Sequence, residues 1–151
     1  SITVDSLGSW TDFVGDEYKA FSGTAVYTTT INKVPVADVI KLNLGTVAEN
    51  ASVYLNGEYI GTVIDSPYQL YIPAEKFKGQ DELVVRVANS MANRIAYMDK
   101  KGVDWKIFYN VNMSARKKEN VKNGIFDASD WEPKSSGLLG PVTLTPAMVK
   151  Q

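Results

Sequence analysis

The chain has 151 residues, a formal net charge of −1 at pH 7, and neither histidine nor cysteine. Its 44% hydrophobic and 22% charged residues are typical of one folded domain, which we expect to span residues 1–151. The small net charge excludes long-range attraction to nucleic acid or anionic lipid, and no apolar run is long enough to span a membrane. Without histidine and cysteine, the chain lacks the commonest general base, thiolate nucleophiles and zinc–sulfur ligands.

Short β-strands are predicted along the first ninety residues and again near the end. They cover residues 25–31, 39–44, 52–55, 58–60, 68–72, 82–88 and 142–145. Asn56-Gly57 follows the third strand directly, and this pair readily takes two positive φ angles, so we expect a type I′ hairpin there. Short strands separated by Gly, Pro and Asn predict an all-β fold, an antiparallel β-sandwich, and most specifically a jelly roll.

A long excursion, residues 90–136, interrupts this pattern. Met91, Ile95 and Met98 have helical spacing, which predicts a short helix with Ser90 as its N-cap and Gly102 at its end. Residues 103–113 then alternate between apolar and polar, which favours a strand. Long excursions in a tight sandwich are commonly functional or form interfaces.

Catalysis by this chain would require carboxylates, because other general bases are scarce. Five loop-borne candidates are present: Asp99, Asp104, Asp127, Asp130 and Glu132. Glycoside cleavage needs two carboxylates across the scissile bond, and this spacing marks no such pair. We therefore expect no catalytic residue here.

Several short motifs lie in or beside the predicted strands. They are Phe21–Tyr27, Leu42–Gly45, Ala51–Gly57, Val87-Ala88-Asn89 with Asn93-Arg94, and Ser136–Leu144. Together they resemble the galactose-binding-type sugar-binding domain of glycoside hydrolases, such as family-2 enzymes and family-106 rhamnosidases. A similar Asn-Arg pair follows the Val-x-Asn strand end in family-106-type domains. One departure is that Gly61 leads into Thr62-Val63-Ile64 where such domains often carry an aromatic residue.

This resemblance implies a non-catalytic accessory domain of a secreted or periplasmic polysaccharide-degrading glycoside hydrolase, monomeric by itself. Its partners would be carbohydrate and the catalytic domain of the same polypeptide. Because the chain lacks an initiator methionine and begins with alternating Ile2 and Val4, we interpret it as a fragment of a longer protein. The resemblance also allows one structural calcium, although no residue identifies its site. We expect no other cofactor and no nucleic acid or membrane partner.

Sugars are bound by aromatic faces and by planar polar groups that form paired hydrogen bonds. The candidate contacts are Asn89, Asn93, Arg94, Tyr97, Asp104, Trp105, Asp130 and Trp131. Trp105 alternates with Ile107, which favours a place in the core, whereas Trp131 lies among polar residues and its role is open. Arg94 either orders its loop or faces the catalytic domain.

Two other functions remain open alongside the accessory role. The chain could be an autonomous carbohydrate-binding module with residues 89–131 as its ligand face, or a purely structural domain that packs between others. A large exposed apolar patch would favour the structural role over sugar binding.

Overall fold

A computed structural model describes residues 3, 5–12, 15–104, 118–123 and 125–148. These residues divide into two units. The first draws its described residues from Ser1–Ser9, Gly23–Asn89 and Ser136–Gln151, and the second from Trp10–Ser22 and Ser90–Ser135. Trp105 and most of the strand predicted over residues 103–113 lie outside the described residues.

Eleven strands and two α-helices occur in the described residues. The strands are β1 (Thr24–Ile31), β2 (Val39–Asn43), β3 (Thr46–Ala48), β4 (Asn50–Leu55), β5 (Glu58–Val63), β6 (Gln69–Pro73), β7 (Asp81–Ala88), β8 (Val121–Lys122), β9 (Ile125–Phe126), β10 (Gly137–Gly140) and β11 (Thr143–Ala147). The helices are α1 (Asp16–Lys19) and α2 (Ala92–Lys100), with 3-10 turns at Trp10–Asp12, Ala74–Lys76 and Lys118–Asn120. No described helix has the length and apolar character that crossing a bilayer requires.

The first unit is the antiparallel β-sandwich predicted from the sequence. One sheet has the order β1-β7-β4-β5 and another the order β11-β2-β6, while β10 pairs with β3. Alternation along each strand sends one set of side chains inward. In β7 these are Leu83, Val85 and Val87, which share a core with Leu42 and Ile72 of the other sheet. The all-β prediction is therefore confirmed.

The predicted hairpin at Asn56-Gly57 is also confirmed, with φ of +51° at Asn56 and +81° at Gly57. The sequence did not predict the irregularity beside it. Val53 pairs with Gly61 but Tyr54 pairs with Tyr59, so Ile60 is the extra residue of a β-bulge. Ile60 packs against the core, and the bulge leaves both Tyr59 and Thr62 exposed on the solvent side.

A buried carboxylate lies at the beginning of β7. Asp81 is only 1% exposed, and its Oδ1 accepts hydrogen bonds from Asn56 Nδ2 at 2.7 Å and from the backbone N–H of Lys78 at 2.8 Å. Its Oδ2 accepts one from the Gly79 N–H at 3.1 Å. Burial alone would raise the pKa of Asp81, but these donors outweigh burial and hold the pKa below its usual value.

The second unit contains the predicted short helix. Helix α2 begins after Met91, and no side chain caps its first turn, so the prediction of Ser90 as the N-cap was wrong. Its end is as predicted, because Gly102 takes a φ of +68°. The N–H of Gly102 reaches the Asp99 carbonyl at 3.1 Å, and that of Val103 reaches the Met98 carbonyl at 2.9 Å. This is the Schellman arrangement.

The buried Asp81 carboxylate leads to a prediction about pH. Replacing it in an Asp81→Asn variant should lower the free energy of unfolding at pH 7 by about 2 kcal/mol, because an amide cannot accept all three hydrogen bonds. The folded pKa lies below the unfolded value, so this stability is present above about pH 4 and is lost as the pH falls through the folded pKa. Urea unfolding at pH 7, 5, 4 and 3 should show that the difference in free energy of unfolding between wild type and Asp81→Asn becomes smaller as the pH falls. A difference that stays constant across this range would contradict the prediction.

Two glycines with positive φ should differ in their tolerance of a methyl group. Gly57 has open space where a Cβ would lie, so Gly57→Ala should cost only about 1 kcal/mol of backbone strain. A Cβ on Gly45 would overlap the Gly140 carbonyl and lie 2.6 Å from the Pro141 oxygen. Gly45→Ala should therefore cost about 2–4 kcal/mol, since strain and overpacking add. If urea unfolding shows that Gly45→Ala and Gly57→Ala lose the same free energy of unfolding, the backbone around Gly45 can move to accommodate a methyl group and the prediction is wrong.

Candidate functional site

The second unit contains an open cleft of about 1010 Å³. Its walls come from helix α1, helix α2 and residues 129–133, so three segments distant in the sequence meet there. Most of its lining side chains are charged or polar, and Ala96, Tyr97, Trp131 and Pro133 supply the apolar and aromatic surface.

Trp131 supplies the largest aromatic surface of the cleft and is held on two sides. Its indole Nε1–H donates to Asn120 Oδ1 at 3.0 Å, and its ring meets Phe126 edge-on with centroids 5.8 Å apart. Its backbone N–H donates to the Ala128 carbonyl at 3.0 Å. The half-buried indole is thus fixed in one orientation while it lines the cleft.

A second aromatic ring comes from helix α2. Tyr97 is half-buried, and the ammonium group of Lys101 lies 5.7 Å from its ring centroid. Four residues along a helix bring two side chains to the same face, so this pair shares one wall with Asn93. Lys101 also lies 4.0 Å from the Asp16 carboxylate of helix α1.

Asn93 connects helix α2 to the segment that follows Trp131. Its Nδ2 donates to the Lys134 carbonyl at 2.9 Å, and its Oδ1 accepts from the Lys134 N–H at 2.9 Å. Both atoms lie in a side chain that is 5% exposed. This paired bond holds residues 131–134 against the helix, so Asn93 positions the wall that carries the indole.

The acidic side chains of the loop before Trp131 are paired. Lys122 Nζ lies 3.0 Å from Asp130 Oδ2 and 3.4 Å from Asp127 Oδ1. The bond to Asp130 raises the pKa of Lys122, and the hydroxyl of Ser129 lowers the pKa of Asp127. Asp99 accepts the Ala128 N–H at 2.7 Å. These ion pairs and hydrogen bonds therefore stabilise the conformation of the loop.

Four of the eight predicted sugar contacts line this cleft, namely Asn93, Tyr97, Asp130 and Trp131. Arg94 and Asp104 are exposed and lie outside its walls. Asn89 belongs to the first unit, where its Oδ1 accepts a hydrogen bond from Ser136 Oγ at 3.3 Å, and Trp105 is not among the described residues. Ligand binding by any of the eight stays a prediction.

Sequence reasoning did not identify the basic side chains of the cleft. Lys100 and Lys101 lie seven and eight residues after Asn93, which is the spacing of one helix face, so this signal was available. Lys19 comes from the four-residue helix α1, which is too short to leave a periodic pattern.

The described residues provide no carboxylate cluster for a metal ion. No group of three or more Asp or Glu side chains in the described ranges lies close enough together to hold one. A structural calcium is therefore supported by the resemblance alone, and no residue is assigned to it.

The known proteins that this chain resembles include glycoside hydrolases. No protein-family model matches it. It is 32% identical to a protein from Formosa agariphila named "Putative beta-glucuronidase", over 95% of this chain and 14% of that protein. The structure of a rhamnosidase from Novosphingobium sp. PP1Y matches with a TM-score of 0.75 and 28% identity, over 95% of this chain and 13% of the rhamnosidase. The chain thus spans about one seventh of each relative's length, and the resemblance predicted from its sequence, to a small domain of glycoside hydrolases, is confirmed.

Proposed function

We propose that this chain is a non-catalytic accessory domain of a glycoside hydrolase, and that the cleft of its second unit contacts carbohydrate. The observation that carries the proposal is the fixed, half-buried indole of Trp131 in a cleft that Tyr97 also lines. Pyranose rings present flat C–H faces that pack on aromatic rings. A ring that is already held in place loses little conformational entropy when a ligand binds.

The state of the carboxylates supports the non-catalytic part of this proposal. A glycosidase needs one carboxylic acid whose pKa is raised so that it can donate a proton. In the loop before Trp131, Asp127 and Asp130 both form ion pairs with Lys122. The pKa of Asp127 lies below its usual value.

The ligand is proposed to come from the polysaccharide that the whole enzyme degrades. The two relatives are named as a glucuronidase and a rhamnosidase, so saccharides with glucuronate or rhamnose units are the first candidates. Lys19, Lys100 and Lys101 in the cleft walls can donate hydrogen bonds to sugar hydroxyl groups. The remaining partner would be the catalytic domain of the same polypeptide, in a secreted or periplasmic enzyme. The fragment itself is proposed to be monomeric.

A structural role in packing between domains is the second candidate. It is favoured by the bonds of Asn93 and Trp131, which stabilise their own loop whether or not a sugar is bound. The two roles differ in a measurable way, because only the first requires the exposed part of the indole to touch a ligand.

Variants at Trp131 separate these roles. Trp131→Ala should weaken binding of a glucuronate- or rhamnose-containing oligosaccharide by up to about tenfold, since packing on an aromatic face contributes on the order of 0.5–1.5 kcal/mol. Trp131→Phe keeps a ring but loses the bond to Asn120, so it should lower the melting temperature and largely retain affinity. Tyr71→Ala, at an exposed tyrosine of the first unit, is the matched control and should change neither.

Calorimetric titration and thermal unfolding of these variants give the answer. Affinity that is the same in Trp131→Ala as in wild type would leave the indole with a structural role alone. The non-catalytic proposal has its own test, because aryl-glycoside turnover that disappears in Asp99→Asn or Asp130→Asn would overturn it.

A further inference from the structure

The solvent side of the four-stranded sheet carries an unusual group of side chains in the first unit. They are Ser52 and Tyr54 on β4, Tyr59 and Thr62 on β5, and Arg86 on β7, which together we name the outer patch. Ser52 is in register with both Arg86 and Thr62, and Tyr54 is in register with Tyr59. Because side chains in register lie on the same face of a sheet, all five lie side by side.

The β-bulge beside the hairpin creates this group. Counted from the two-residue turn, regular pairing would place Gly61 opposite Ser52. The extra residue places Thr62 there instead, so Tyr59 and Thr62, three positions apart, lie on the same face. Bulges commonly re-aim a side chain at functional positions. Tyr59 is left 56% exposed, although its ring lies 5.5 Å from that of Tyr54.

The guanidinium group of Arg86 packs on a tyrosine ring and can still bind an anion. Its guanidinium carbon lies 4.9 Å from the centroid of the Tyr54 ring, so one face of the group is covered while its edge donors remain in solvent. In the described parts of the chain no carboxylate forms an ion pair with it. Its register neighbours Val26 and Ser52 are uncharged. A guanidinium edge of this kind matches a carboxylate with two parallel hydrogen bonds.

Three hydroxyl groups form a connected chain next to this cation. Tyr59 OH lies 2.8 Å from Thr62 Oγ1, which lies 2.8 Å from Ser52 Oγ. Three hydroxyls supply three hydrogens and the two bonds use two of them, so one donor and several acceptor lone pairs face outward. Sugar hydroxyls need this combination of donors and acceptors.

We infer that the outer patch is a binding site for an acidic saccharide. The carboxylate of a uronate unit pairs with Arg86, its hydroxyls bond to the Ser52–Thr62–Tyr59 chain, and its C–H face packs on the exposed Tyr59 ring. The inference rests on the proposed function only in taking a saccharide as the ligand, and it does not involve the Trp131 cleft.

The surroundings of the patch favour a saccharide over a protein partner. Stable protein interfaces bury about 800 Å² on each side around an apolar centre. Four of the five exposed residues of the neighbouring edge strand β1 are threonines, namely Thr24, Thr28, Thr29 and Thr30, and the fifth is the apolar Val26. A hydroxyl-lined face with one cation complements a polyhydroxylated anion.

A matched pair of ligands tests the site on this chain. Oligomeric β-1,4-glucuronate and cello-oligosaccharide of equal length share one backbone and differ only in the carboxylate at C6. In an NMR titration, the acidic ligand should shift the backbone amides of Ser52, Thr62 and Arg86. The neutral ligand should bind at least about tenfold more weakly, because it has no carboxylate to pair with Arg86.

Substitutions then assign the binding to the patch. Arg86→Gln should weaken binding of the glucuronate oligomer about tenfold and remove its preference over the neutral ligand. Tyr59→Phe loses the hydroxyl and keeps the ring, so it should retain part of the affinity for both. Glu82→Gln is the control, since Glu82 lies on the same face of β7 and its loss should not weaken binding.

The outcomes distinguish this site from the cleft. Binding that persists in Trp131→Ala and fails in Arg86→Gln establishes the outer patch. Binding that fails in Trp131→Ala and persists in folded Arg86→Gln overturns the patch and leaves the proposed function standing. Amide shifts confined to other strands, equal affinity for the acidic and neutral ligands, or absence of binding to the glucuronate oligomer would each overturn it as well.

Discussion

The buried carboxylate of Asp81 is the constraint on which the sandwich depends. It lies at the beginning of β7, the strand that pairs with both β1 and β4, and its hydrogen bond to Asn56 ties that strand to the hairpin turn. The side-chain oxygen of Asn56 also accepts a hydrogen bond from the backbone N–H of Glu82 at 2.9 Å. A slip of one residue would break these bonds and turn the core face of β7 to solvent. A polar contact therefore fixes the register within which the apolar side chains pack.

The second unit is ordered by a different kind of interaction. Its described part has only the two-residue strands β8 and β9, so bonds between side chains and backbone supply the order. The Asn93 side chain donates a hydrogen bond to the Lys134 carbonyl, and the Asp99 carboxylate accepts one from the backbone N–H of Ala128. Such bonds connect helix α2 to the loop without a sheet ladder. They leave the indole of Trp131 oriented, which is the property that a binding surface needs.

Local patterns were predictable from the sequence, whereas contacts between distant residues were not. The hairpin follows from Asn56-Gly57, and the end of α2 follows from Gly102, because each depends on the φ of single residues. The partnership of Asn56 with Asp81 spans 25 residues and has no periodic signal. Trp131 was ambiguous for the same reason, since Asn120 becomes its partner only in the folded chain.

The strands near the end of the chain have a consequence for synthesis. Leu138 is part of the core and pairs with Val47 of β3, and β11 forms one edge of the sheet around β2. Gly45 also meets Gly140 in an isolated bridge. Residues about ninety positions apart must therefore meet before the sandwich is complete, and such pairings are slow. On the ribosome the core stays open until the last strands have emerged, and a nascent chain stalled before Gly137 would expose β2 and β3 to chaperones or to aggregation.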